Sequence, residues 1–274
     1  MFILFRNSET RLWSRLISNK FLGVWALNNP LGALMVCLVA GFTAAPTISL
    51  ADTSEEVELG NRLASVLRAG RSVISNSQSL INDPDVADKG LTGEKFFEQV
   101  IETYLKQNGQ SPLNDDITEY ERTLTETQLQ AMVQVIDENQ EIINAEGLGF
   151  KGFIPAVFAR LVNEKFGEEM ASQAAVKVTA PKELVRNRKA RPDAWENQVI
   201  VEKFQDSTWP VGEAYFETTS VNGQDAFRML IPEYYSESCL ACHGSPTGET
   251  DVTGFPKEGG QLGDLAGAIS ITLY

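Results

Sequence analysis

Cys239, Cys242 and His243 lie within the run Cys239-Leu240-Ala241-Cys242-His243, which brings two thiols and an imidazole together in one pentapeptide. His243 is the chain's single histidine, and the third cysteine, Cys37, lies far upstream. Two thiols separated by two residues on a short helical turn can each add to one vinyl group of haem. The next side chain, an imidazole, then points at the iron from the same side. The spacing therefore predicts one covalent haem c, attached through Cys239 and Cys242, with His243 as the proximal iron ligand.

Three other chemistries use the same residue types. A thioredoxin-like dithiol belongs in a βαβ setting, whereas here a strand-like segment and Tyr234-Tyr235 precede the motif and a Gly/Pro loop follows it. A structural zinc site takes four ligands, usually thiolates and imidazoles, and beyond Cys239, Cys242 and His243 the chain after its leader has neither type. A disulfide suits an exported protein but leaves the adjoining histidine unexplained.

The N-terminus points to export. Arg6, Arg11, Arg15 and Lys20 form a basic region, Leu31 to Ala45 an apolar stretch, and Ser49-Leu50-Ala51 a small-residue cleavage site. Residues 1–51 thus read as a signal peptide, with a mature chain of 52–274 in the periplasm. The long basic region leaves an uncleaved membrane anchor as the alternative. Asn28-Asn29-Pro30 and Pro46 break the apolar pattern, so no ordinary span of about 20 apolar residues is available, and none is expected after cleavage. Cys37, following Leu34-Met35-Val36, reads as filler in the apolar stretch. Of 23 basic and 37 acidic residues, four and one lie in the first 51, which leaves 19 and 36 and a net charge of −17. Such acidity disfavours nucleic acid and anionic membrane surfaces as partners.

The elements that must carry the motif are helical first and sheet-like later: 52–170 mainly helix, 171–274 mainly sheet. Thr53 with Glu56 resembles a capping box ahead of Leu59, Leu63, Val66, Leu67, Val73 and Ile74 at helical spacing, ending near Asn82-Asp83-Pro84. A second helix runs from about Glu94 to Asn108, a third from Thr118 past Ile136 to Ile143, and a fourth over Phe153 to Phe166. Val176 to Thr179 is strand-like, and Pro192 to Phe204 is helical with Asp193 and Glu196 in its first turn. Ala214 to Thr219 and Asp225 to Pro232 form a hairpin about Asn222-Gly223, and Leu265 to Leu273 is a final strand. Ser245 to Gly263 reads as either a surface loop beside the motif or a disordered connector.

Four segments in this order carry a family likeness: Lys151-Gly152-Phe153-Ile154-Pro155-Ala156; Arg186-Asn187 with Arg191-Pro192-Asp193-Ala194-Trp195-Glu196; the attachment run with Gly244; and Gly263 to Ser270. Together they resemble the c-type haem family of PAS-like sensor modules. That resemblance implies an α+β fold, N-terminal helices followed by a PAS-like antiparallel sheet carrying one covalent haem c. It also implies an extracytoplasmic input role of the kind that serves histidine kinases and chemoreceptors. Members that signal across a membrane continue past the final strand, whereas this chain ends at Tyr274, so either a signal passes by docking to a partner such as a membrane receptor, or there is none.

The iron's far side is open in the sequence. Met132, Met170, Met229, a lysine, a tyrosine, water or nothing are the candidates, although Met132 and Met229 also read as core fillers. In the cluster Arg186, Arg188, Lys189 and Arg191, guanidinium groups match haem propionates, and Arg186 and Arg191 are the candidates; the alternative is a solvated loop. Trp195 and Trp209 read as porphyrin packing or as core, and one of Tyr234 and Tyr235 is expected to face the haem. The functional expectation is a redox or ligand sensor module, with a periplasmic electron-transfer cytochrome working with a redox partner protein as the alternative. Peroxidase-like activity would need a distal acid/base that no second histidine supplies.

Overall fold

The computed structural model describes residues 50–274, so the leader reading of 1–51 falls almost wholly outside the described residues. Helix α1 spans Leu50–Asn76, so Thr53 and Glu56 lie inside it rather than at its start. Its inward stripe of Leu59, Leu63, Val66, Leu67, Val73 and Ile74 is buried as the spacing requires. A short α2, Gln78–Ile81, follows.

Helix α3 (Gly93–Asn108) is capped by the Thr92 hydroxyl and closed by Gly109 at φ 75°. Helix α4 (Glu119–Glu138) opens on a reciprocal capping box between Thr118 and Glu121. It stops at Asn139, whose side-chain amide donates to the Val135 carbonyl at 2.7 Å, and α5 (Gln140–Ile143) is a separate turn. The single helix expected there is thus interrupted by a side chain competing for backbone bonds. Helix α6 covers Pro155–Met170, with proline in its first turn where no N–H is needed.

The second half is a four-stranded open antiparallel sheet in the order β1-β4-β3-β2, with β1 Ala174–Thr179, β2 Tyr215–Val221, β3 Gln224–Tyr234 and β4 Leu265–Leu273. The fold is α+β. Alternation splits β3 between two cores. Phe227, Met229 and Ile231 join Ile269 and Ile271 in the large core shared with α1, α3, α4 and α6. Leu230 and Ala268 face the other way, under α7 (Ala194–Val199), which runs on as one wide turn over Ile200–Phe204. Among the described residues no helix is long and apolar enough to cross a membrane.

Two features aim the end of β3 at the site. The ladder between β3 and β4 slips between Glu233, opposite Gly267, and Tyr234, opposite Leu265; such a bulge turns the side chains beyond it. Arg68 and Arg71 of α1 both reach Glu233, at 2.7 and 2.6 Å, and pin the helix to this strand end. Gly267 is also where β4 meets β1 closely, since a Cβ there would stand 2.6 Å from the Thr179 carbonyl oxygen. Gly267→Ala is therefore expected to lower stability by about 1–3 kcal/mol through backbone displacement; a denaturant midpoint equal to wild type would refute this.

Candidate functional site

The run Cys239 to His243 occupies a tight turn in the connection between β3 and β4. A 3₁₀ turn at Glu237–Cys239 leads into α8, Leu240–His243. Because β3 and β4 are antiparallel neighbours, the run is not the crossover of a βαβ unit, which removes the setting that a thioredoxin-like dithiol needs. Cys239 and Cys242 are both free thiols, half-buried. Among the described residues no group of three or more His, Cys, Asp or Glu side chains is placed to hold a metal ion.

His243 is held on two sides. Its ring stacks on Tyr235 with centroids 5.2 Å apart and planes 27° apart. Its Nδ1 lies 3.0 Å from Glu258 Oε2 and 3.5 Å from the Tyr235 hydroxyl. Burial, with the nearby Glu258 charge, pushes the Tyr235 hydroxyl up to about 12, so it stays neutral. Burial also raises the Cys242 thiol, helped by Asp251 and opposed by Arg186.

The Gly/Pro segment after the run is a folded loop. Gly260 N–H donates to the His243 carbonyl at 2.8 Å and Gly259 N–H to the Gly244 carbonyl at 3.0 Å. A Cβ on Gly260 would sit 2.5 Å from the Tyr235 ring, so the loop can lie on that ring only as glycine. Farther out, Asp251 accepts from Thr253 N–H (2.8 Å), the Thr253 hydroxyl (2.6 Å), Phe255 N–H (3.2 Å) and Arg186 Nη1 (2.6 Å). Burial alone would raise the Asp251 carboxyl, but these donors outweigh it and hold the group far below the usual range.

Arg186 organises the loop from the connector after β1. Its Nε and Nη2 meet the two Glu258 oxygens at 2.8 and 3.0 Å, and Nη2 also donates to the Cys242 carbonyl at 2.9 Å. Burial opposes its charge, yet the two carboxylates raise its affinity for the proton overall. The same contacts hold Glu258 below the ordinary carboxylate value, against the opposing effect of burial. Arg186 thus reaches the site through protein carboxylates. Arg191 is exposed, and its backbone carbonyl accepts from Lys177 Nζ at 2.6 Å; Arg188, from the same cluster, lines the cleft with no ion pair among the described residues.

Cys239, Cys242 and His243 open onto one wide cleft, of about 2340 Å³, bounded by α1, α6, β1 and the Arg186 connector. Eight Lys/Arg side chains and three Glu line it, and counting Glu196, Asp251 and Glu258, which pair with Lys177 and Arg186 from behind the lining, the local balance is +2 in a chain whose formal charge is −14. The surplus suits an anionic occupant. Tyr234 lines the cleft, and its hydroxyl accepts from Gly212 N–H at 2.9 Å. Asn163 of α6 also lines it, with both amide atoms buried and unpaired.

Other expected residues lie elsewhere. Met132 and Met229 are in the large core, their sulfurs against Gly70 and Gly60 of α1, and Met170 packs at its edge. Trp195 lies on Arg228, 4.2 Å from its ring centre, and Trp209 against Phe204 and Tyr215, both on the far side of the sheet. Glu258, Asp251, Glu233 and Asn163 carried no sequence signal we read. For Asp251 the pattern Asp-x-Thr, which closes on its own backbone, was available. For Glu258 nothing local marks a partner 15 residues away.

The donor set fits a c-type haem: two unbridged thiols and an imidazole with one nitrogen tied back, all facing a basic cleft. The sequence model of the Tll0287-like family matches residues 93–273, which include Cys239, Cys242, His243 and their Arg186, Asp251 and Glu258 partners but not the α1 side of the cleft. No curated protein and no solved structure matches the chain.

The Asp251 network generates a pH-dependent expectation. Asp251→Ala orphans four donors and half of the Arg186 pairing, and should cost about 3 kcal/mol. The folded-state pKa of Asp251 is depressed, so its contribution is full above the unfolded value of about 3.9 and is lost as pH falls through the folded value. The stability gap between wild type and variant should therefore close as pH is lowered; a gap of constant size in pH-dependent unfolding would contradict this assignment.

Proposed function

The chain belongs to the Tll0287-like family, and from that premise we propose that it is a periplasmic monohaem c-type protein acting as a redox or ligand sensor module. The observation that carries this reading is the shared cleft, where Cys239, Cys242 and His243 face a net-positive lining in an acidic protein. Cys239 and Cys242 would each supply a thioether bond, and His243 the proximal ligand through Nε2. Arg188 is the residue of the basic cluster free to meet a propionate. A bound haem would supply a one-electron couple and a coordination position for a small ligand.

The residues of the chain support sensing more than carriage. Met132 and Met229 are committed to the core and Met170 packs at its edge, and among the described residues no methionine lines the cleft. The four-stranded antiparallel sheet with helices on both faces is compatible with the PAS-like architecture of sensor modules.

Protein matured in a periplasm competent for cytochrome c assembly should carry haem that stays with the polypeptide on denaturation. Cys239→Ala with Cys242→Ala should abolish that attachment. The reduced wild-type spectrum should shift on adding carbon monoxide. Absence of covalent haem would overturn the reading, and a low-spin spectrum indifferent to the gas would favour the electron-transfer alternative.

A further inference from the structure

We infer that Glu258 is a positioning residue for His243: it fixes the imidazole with its proton on Nδ1 and its lone pair on Nε2, and through that contact biases the iron toward the ferric state. The second half of this inference rests on the haem reading above; the first does not.

A neutral imidazole has one donor nitrogen and one acceptor nitrogen, and the partner of one decides the role of the other. An ionised carboxylate only accepts. Glu258 Oε2 lies 3.0 Å from Nδ1, closer than the Tyr235 hydroxyl at 3.5 Å, so the carboxylate sets the tautomer and Nδ1 carries the proton. Nε2 has no hydrogen-bond partner among the described residues. It is left as the free lone pair, on the ring edge away from Glu258.

Two further contacts make this arrangement fixed. Arg186 grips both Glu258 oxygens, at 2.8 and 3.0 Å, and this keeps the group an anion and its plane set. The Tyr235 ring, seated against Gly260, restricts rotation of the imidazole about its bond to the chain. Glu258 therefore meets the histidine in the manner of a carboxylate that orients a metal-bound imidazole and raises its basicity. A more basic ligand favours the higher charge on iron. Arg186 draws off part of this effect because it shares Oε2 with Nδ1, and water screens more, since the Glu258 side chain is 20% exposed. The sign remains that of a carboxylate.

A purely structural role predicts something different. The Arg186–Glu258 pair already joins the β1 connector to the loop, and if that were all, Glu258→Gln would alter stability and leave the iron untouched. Glu258→Gln keeps the length and an accepting oxygen, while Glu258→Asp keeps the charge but withdraws it by one methylene. On haem-loaded protein, Glu258→Gln should shift the reduction equilibrium toward ferrous about tenfold, equivalent to about 59 mV for one electron. The ferric EPR g-values should move with it, and Glu258→Asp should fall between Gln and wild type. Since His243 is the chain's one histidine, its two ring nitrogens can be read directly by ¹⁵N NMR in haem-free protein at alkaline pH. Wild type should show the Nδ1–H form, and Glu258→Gln a mixture with the other tautomer.

Haem-loaded Glu258→Gln with potential and g-values equal to wild type would overturn the effect on iron. A mixed tautomer in wild type would overturn the positioning role. Wild type that attaches no haem would instead sink the haem reading, and the NMR would still decide what Glu258 does to His243.

Discussion

The site depends on one guanidinium. Arg186 brings together two carboxylates, Asp251 and Glu258, that would repel one another at this range, and adds the Cys242 carbonyl as a third partner. Its side chain is 18% exposed and that of Asp251 fully buried, so separating them would leave charge in a setting that solvates it poorly. The pairing earns its stability from number and geometry: Arg186 uses all three nitrogens, and Asp251 accepts from four donors. What it fixes is the loop over Ser245 to Gly263, which has little apolar burial of its own.

The sheet and helices supply the frame against which this cluster is tensioned. The bulge after Glu233 ends regular pairing just before Tyr235, and Tyr235 then serves as the floor under the imidazole. Glu233 answers from the helical side, because Arg68 and Arg71 hold it to α1. The attachment turn is therefore referenced to the large core through α1 and to the connector through Arg186. Displacement of either reference would move His243 relative to the cleft. Two cores on opposite faces of one sheet make such displacement costly, since β3 contributes to both.

Local rules made most of the scaffold legible. The capping boxes at Thr118–Glu121 and Asp193–Glu196, the Asn222-Gly223 hairpin and the Leu265–Leu273 strand each follow from residues within a few positions of one another. The spacing of Cys239, Cys242 and His243 stands out for the same reason, being contained in five residues. A boundary slipped where a side chain competes with the backbone, as at Asn139. The environment of His243 was hidden because its partners come from far apart in sequence. Arg186 stands 72 residues from Glu258, and only the folded sheet brings them to one place. From sequence the cluster Arg186, Arg188, Lys189 and Arg191 reads either as propionate partners or as a solvated loop; in the fold Arg186 and Arg188 both line the cleft, and Arg186 also pairs with Asp251 and Glu258.

Charge distribution bears on how a markedly acidic chain would receive an anionic group. Repulsion from a net of −14 would act against such a ligand anywhere on an evenly charged surface. Here eight basic side chains are gathered around one cleft, while Asp251 and Glu258 stand behind the attachment turn, against the loop and outside the lining. The two carboxylates nearest to His243 are thus partly offset by Arg186, itself one of the eight, and Glu258 is placed where it addresses the imidazole. Screening over about 8 Å at physiological ionic strength mutes the distant acidic surface far more than the lining itself. An incoming anion therefore meets the local positive field of the cleft, and the acidity of the rest of the chain acts mainly on the molecule's encounters with other proteins.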